Sequence, residues 1–190
     1  METLAANLQG FSNRPVVTVS TPLNISSNSY TSNSCTEAYV QVVSHLKEKH
    51  NCNRIAFFSA GLTKSEESNE RLEAFAMAIE ANGLEFNPNL LFEGDFTSAK
   101  AQEVLSNRYK SKEDIDFDAI VCANDHTAGG CLLHLSSIGV NVPNDVKLVG
   151  FDDSDFALMC FPTISSISQT IPINGYTAAE MIYMTLVQAL

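Results

Sequence analysis

Apolar and polar positions along the chain switch repeatedly between two periods. Residues 54–59 (RIAFFS) are a short apolar run of buried-strand type, ended by Ala60 and Gly61. Residues 68–82 then place Leu72, Phe75, Ala76 and Ile79 on one helical face, and Gly83 sits where a C-terminal stop belongs. The alternation continues with a strand at 90–92, a helix at 99–109 presenting Ala101, Val104 and Leu105, and a strand at 119–123 (AIVCA). A helix starting at Asp125 carries Leu132, Leu133 and Leu135, and a strand follows at 146–151 (VKLVGF). A fifth strand is expected at 164–168 and a final amphipathic helix at 174–190. Upstream, 16–19 reads as a strand and 36–49 as a helix. Between them, 21–36 is rich in Ser, Asn and Thr and reads as a loop or interlobe linker. Strands alternating with helices at this spacing predict the α/β class, a parallel sheet sandwiched by helices.

The two ends modify that picture. Residues 1–9 look like the middle of a helix, and the final helix reaches Leu190 without a cap or polar tail. Both suggest a piece of a longer protein.

Composition narrows the partners. Hydrophobic residues are 45% and charged residues 17%, the profile of a soluble globular protein. No apolar run approaches the roughly 20 residues needed to span a bilayer, so no membrane contact is expected. Nothing at the start has the pattern of a secretory signal. Eleven basic residues against 22 acidic ones leave a net charge of −11, which repels a polyanion and argues against direct nucleic-acid contact by this segment. Five cysteines, Cys35, Cys52, Cys122, Cys131 and Cys160, form no CxxC pair, and none has a His at metal spacing. Scattered thiols of odd number suit a cytoplasmic protein with neither metal nor other cofactor. Cys122 and Cys131 lie in apolar stretches and read as packing residues.

In a parallel sheet, ligands sit beyond the carboxyl ends of the strands. The residues just after each strand are Ser59-Ala60-Gly61, Glu93-Gly94-Asp95-Phe96, Asn124-Asp125 and Asp152-Asp153. Polar and acidic groups therefore gather at one edge. Each also has a plainer reading. Asp125 is a natural N-cap for the helix it begins. Phe96 is either ordinary core or a stacking platform for a flat or ring-shaped ligand. Arg71 is either a solvated helix residue or a fork of donors for ligand oxygens. One of Asp152 and Asp153 caps a turn while the other faces the ligand. His126 reads as a polar helix residue.

Catalysis finds little support. Paired acids at strand ends can hold magnesium for phosphoryl transfer, but such folds need an acidic nucleophile after an early strand. Here that place is Ser59-Ala60-Gly61, and P-loop, GxSxG, HExxH and GxGxxG motifs are all missing. The chain reads as a binding module, not an enzyme.

The succession RIAFF, ERLEAF, LLFEGDFTSAKA, FDAIVCANDHTAGG, IGVNVPNDVKLVGFDDSDFA and FPTISSISQ resembles the effector-binding domain of the lactose-repressor/galactose-repressor family. The resemblance runs over residues 54–190 and implies the periplasmic-binding-protein type I fold, mostly its C-terminal lobe. It implies a cleft-facing arginine at Arg71, an aromatic at Phe96, the polar pair Asn124 and Asp125, and a ligand-binding acid at Asp152. Residues 169–171 fall where the chain crosses between lobes. Ala74 and Ala101 stand where glycines are usual, and Ser165 and Ser166 replace threonines. Around Ser34 the family often has an aspartate, so no contact is assigned there.

The resemblance divides the chain into 1–34, a remnant of the N-terminal lobe and linker; 35–170, the C-terminal lobe; and 171–190, a helix returning to the N-terminal lobe. No helix-turn-helix is present in the sequence, and part of the N-terminal lobe is missing. The stretch LKEKHNCNRIAFF (46–58) resembles a subset in which such a lobe senses for a diguanylate cyclase (GGDEF type) or a histidine kinase. The leading expectation is therefore a cytosolic sensor lobe that binds a small sugar-like or nucleobase-like effector for an attached signalling domain. The alternative is the effector-binding domain of a lactose-repressor-type transcription regulator lacking its DNA-binding head. A homodimer through the apolar faces of 174–190 is also expected.

Overall fold

The computed structural model describes residues 16–19, 28–31, 35–61, 66–169 and 171–188. The chain separates into two compact units, Met1–Ser34 with Thr170–Leu190, and Cys35–Gln169.

In the first unit, β1 (Val16–Val19) pairs in parallel with β2 (Asn28–Thr31). The 18-residue helix α6 (Ile171–Gln188) belongs to the same unit. Strand β2 corrects the reading of 21–36 as loop throughout. Its sequence, NSYT, has no apolar alternation, and its extended backbone is held by ladder bonds to β1 that local composition does not announce. The helix expected over 1–9 lies outside the described residues.

The second unit contains α1 (Thr36–His50), β3 (Ile55–Ser59), α2 (Glu66–Ala81), β4 (Leu91–Glu93), α3 (Ser98–Arg108), β5 (Ala119–Cys122), α4 (Asp125–Ser137), β6 (Lys147–Phe151), α5 (Asp155–Met159) and β7 (Ser165–Ile167). Its five strands form one parallel sheet in the order β4-β3-β5-β6-β7. The expected parallel α/β architecture is what forms. The short α5 was not legible, because five residues are too few for a helical period to register.

Every residue of β3 and β5 is buried, which is why both read as unbroken apolar runs. Alternate side chains feed opposite faces. On one face Phe57, Val121 and Phe151 pack with Tyr39, Val43 and Leu46 of α1 and Phe75, Ala78 and Ile79 of α2. On the other, Phe58, Ile120, Cys122 and Leu148 pack with Ala101 and Leu105 of α3 and Cys131, Leu132 and Leu135 of α4. Each fully buried Leu, Ile, Val or Phe contributes about 1.5–3 kcal/mol, so this two-sided burial holds the strand ends in fixed register. Cys122 and Cys131 are ordinary core, with sulfurs 3.7 Å apart.

Local signals place the helix ends. Helix α1 stops at Asn51, which adopts the left-handed conformation (φ 56°), and α2 is followed by Gly83 at φ 65°. Thr97 caps α3 by accepting from the Lys100 N–H at 3.2 Å. Gly130 permits the close packing of α3 on α4, since a Cβ there would lie 2.2 Å from the Ser98 carbonyl oxygen. Among the described residues, no helix is long and apolar enough to cross a membrane.

Candidate functional site

The carboxyl edge of the sheet carries the residues following β3, β4, β5, β6 and β7, and α2 delivers Arg71 to it. Helix α2 turns Ser68, Arg71, Ala74, Phe75, Ala78 and Ile79 inward, one helical stripe in which only the arginine is charged. Arg71 is 4% exposed, so it is not a solvated helix residue. Its guanidinium donates to the Ala123 carbonyl at the end of β5 and to the Glu67 carboxylate one turn earlier. It also reaches the Asp152 carboxylate at 3.4 Å and lies 4.0 Å from the centroid of the Phe151 ring. The Phe96 ring is 5.9 Å away. A guanidinium this buried needs such partners, because an unpaired charge in an apolar setting is strongly disfavoured.

Asp152 stands at φ 103° and Asp153 at φ 53°, both in the left-handed range that asparagine and aspartate tolerate best. The Asp152 N–H donates to the Ile167 carbonyl at 2.9 Å, tying the turn after β6 to the end of β7. Its carboxylate accepts from the Gln169 side-chain amide as well as from Arg71. Burial pushes the Asp152 carboxyl above its ordinary range; Arg71 and Gln169 pull the other way without cancelling it. Phe96, at φ 68°, is half-buried, neither sealed in the core nor fully exposed.

Asn124 caps α4, its side-chain oxygen accepting the Thr127 N–H at 2.9 Å while its amide donates to the Phe96 carbonyl at 3.2 Å. This corrects the assignment of the cap to Asp125. The cap residue is the extended one just before the helix, and Asp125 is already inside the first turn.

The same shift of one residue changes the surroundings of Asp125, which is 1% exposed. One of its oxygens accepts the Ser154 N–H at 2.8 Å and the Ser154 hydroxyl at 2.7 Å; the other accepts the Ser166 hydroxyl at 2.6 Å. Ser166 in turn receives the Asp153 N–H at 2.9 Å. Asp125 thus braces the turn that presents Asp152 and faces inward rather than to solvent.

Arg71, Phe96, Asn124 and Asp152 are therefore brought to one edge, with Asp125 behind it. Sequence reasoning did not assign Glu67, Phe151, Ser154, Ser166 or Gln169 to this cluster. Glu67 was findable as the i−4 partner of an arginine on a helix. The contacts of Ser154, Ser166 and Gln169 depend on how β7 docks on β6, for which no local signal exists. Chemically, the edge offers a guanidinium fork, a carboxylate, an amide and an aromatic face, a set suited to hydroxyls or heterocyclic nitrogens on a flat or ring-shaped molecule. Among the described residues, no group of three or more His, Cys, Asp and Glu side chains is placed to hold a metal ion.

Residues 43–188 match the sequence profile of the periplasmic binding protein-like domain. The chain belongs to that family. Among individual relatives, the HTH-type transcriptional repressor PurR of Photobacterium profundum is 32% identical over 123 residues, 65% of this chain and 36% of that protein. The HTH-type transcriptional regulator GalR of Streptococcus thermophilus is 29% identical over 143 residues, 73% of this chain and 42% of that protein. The alignments thus span only 36% and 42% of these two relatives. The solved complex of the transcriptional regulator CelR with cellobiose superposes over 100% of this chain and 64% of its own, with TM-score 0.80 and 24% identity. A LacI family transcriptional regulator from Lactobacillus casei with bound sucrose covers 95% of this chain and 66% of its own, with TM-score 0.78 and 22% identity. These two likenesses establish the fold.

Proposed function

We propose that this chain is the small-molecule-sensing part of a lactose-repressor-type transcription regulator, and that its effector is a sugar or a nucleobase-like ring. The observation that carries the reading is the Arg71–Asp152 pair at the carboxyl edge of the sheet, joined by Gln169 and flanked by Phe96. In it Arg71 and Asp152 fix ligand hydroxyls or ring nitrogens, Asn124 lends its remaining polarity, and Phe96 supplies an apolar face. Asp125 acts behind them as a positioning residue. The names of the relatives support the regulator over the diguanylate cyclase or histidine kinase sensor, since those relatives are transcriptional regulators and repressors. A cytoplasmic, non-enzymatic role and a homodimer belong to the same proposal. Exposed Tyr176, Tyr183 and Leu186 on α6 support the dimer.

The test is a thermal-shift screen of the intact protein against sugars, nucleobases and magnesium. Stabilisation by a sugar or nucleobase, together with effector-dependent binding of DNA by the intact protein, is the expected result. Stabilisation by magnesium alone, with phosphatase turnover, would replace the sensor by an enzyme. Effector binding with cyclase or kinase output and no DNA binding would restore the signalling sensor.

A further inference from the structure

His45 and His50 lie at the carboxyl-terminal end of α1, and both are exposed. Residues five apart on a helix point about 140° away from each other, so their side chains ordinarily diverge. Here they converge. The Nε2 atoms are 3.2 Å apart, and the rings meet at 72° with centroids 5.0 Å apart. Imidazole nitrogens bind zinc at about 2.0–2.1 Å, and two such bonds to atoms with this separation enclose roughly 100°, close to the tetrahedral angle. One ion equidistant from both nitrogens therefore fits their separation, in place of the shared proton.

The geometry points to a site for one divalent transition-metal ion, held by the Nε2 atoms of His45 and His50 and completed by water. Imidazole pairs select zinc, nickel and copper over magnesium and calcium, which prefer oxygen ligands. The carboxyl-terminal turn of a helix, with its negative dipole end, favours a cation. Lys47, which shares the turn, directs its ammonium to the Asn82 carbonyl at the end of α2. Lys49 remains exposed beside Glu48, an acidic neighbour in the same turn. With no cluster of three His, Cys, Asp or Glu ligands among the described residues, the ion keeps open positions and exchanges freely. Helix α1 leads through Asn51 to Arg54 into the start of β3. The pair is therefore at the opposite edge of the sheet from Arg71 and Asp152, and its occupancy is independent of the effector.

The experiment titrates nickel, zinc and magnesium into the chelator-stripped full chain by calorimetry, with His45→Ala, His50→Ala and His126→Gln variants alongside. Nickel and zinc are expected to bind one ion per chain and magnesium none. Each alanine variant should lose affinity by roughly tenfold or more, since even outer-shell changes at metal sites cost 10–100-fold. The His126 ring lies at a tilt against Phe156, so His126→Gln should bind as the unaltered chain does. Cobalt should give no thiolate charge-transfer band, which separates this pair from the cysteines. Because both histidines are exposed, unchanged circular dichroism is expected to show that the variants fold. Binding unaffected by either alanine variant, or no nickel binding at all, would overturn the site and leave the rings sharing only an N–H···N hydrogen bond.

Discussion

Replacing Asp125 by alanine removes a buried carboxylate that accepts three hydrogen bonds, two from Ser154 and one from Ser166. Hydrogen bonds to a charged group contribute about 1.5–3 kcal/mol each, and an orphaned buried donor adds a penalty of similar size. Relief of the carboxylate's own desolvation offsets part of this, leaving a net loss of about 2–4 kcal/mol. For a chain of this length that is a drop in Tm of roughly 5–15 °C. Gly150 sharpens the test, because a Cβ there would sit 2.1 Å from an Asp125 carboxylate oxygen and 3.3 Å from its Cα. Gly150→Ala is therefore costly when Asp125 is present and cheaper once position 125 is alanine, with only partial relief because the backbone contact persists. Urea unfolding of the four members of this cycle, followed by circular dichroism, should give a coupling of about 1–2 kcal/mol, as for residues in contact. An Asp125→Ala loss within about 0.5 kcal/mol, the range of surface changes, would refute the bracing role. So would a Gly150→Ala cost equal in both backgrounds.

Other consequences concern pH and packing. Asp152 has its folded-state pKa raised from 3.8, chiefly by burial, so its contribution is complete below 3.8 and is lost as pH rises through the folded value. Asp152→Asn should therefore be more stable than the unaltered chain at neutral pH, with the gap closing below 3.8 in unfolding measured across pH; a constant gap would contradict this. His134, 8% exposed, donates to the Tyr109 carbonyl at 3.0 Å, yet its burial lowers its pKa from 6.5. Its contribution is present above 6.5 and disappears as pH falls through the depressed folded value, so His134→Gln should flatten the acid slope of the stability curve. Gly130→Ala should force α3 from α4 and destabilise by about 1–3 kcal/mol, read by thermal melting; an unchanged melt would deny the close contact.

The sheet was legible because strands buried on both faces cannot hide. Phe57 and Phe58 face opposite cores, so β3 must be apolar at successive positions. Strand β2 was illegible because its sequence, NSYT, has neither an apolar run nor an apolar alternation, and its extended backbone comes from pairing with β1. At the edge, strand ends located Phe96, Asn124 and Asp152, because the carboxyl termini of parallel strands share one side. Which of two neighbours turns inward was not legible. Asn124 and Asp125 are both good caps, and the choice rests on where Ser154 and Ser166 arrive from later in the chain. Gln169 joins Asp152 across the β6–β7 junction, a contact between residues 17 apart that no helical or strand period encodes.

The most direct measurement is hydrogen-exchange mass spectrometry of the intact protein, with and without the sugar or nucleobase that most stabilises it. The account predicts ligand-dependent protection at the turns holding Phe96, Asn124 and Asp152 and in the segment of α2 carrying Arg71. Protection confined to other surfaces, with these turns exchanging at the same rate in both states, would contradict it.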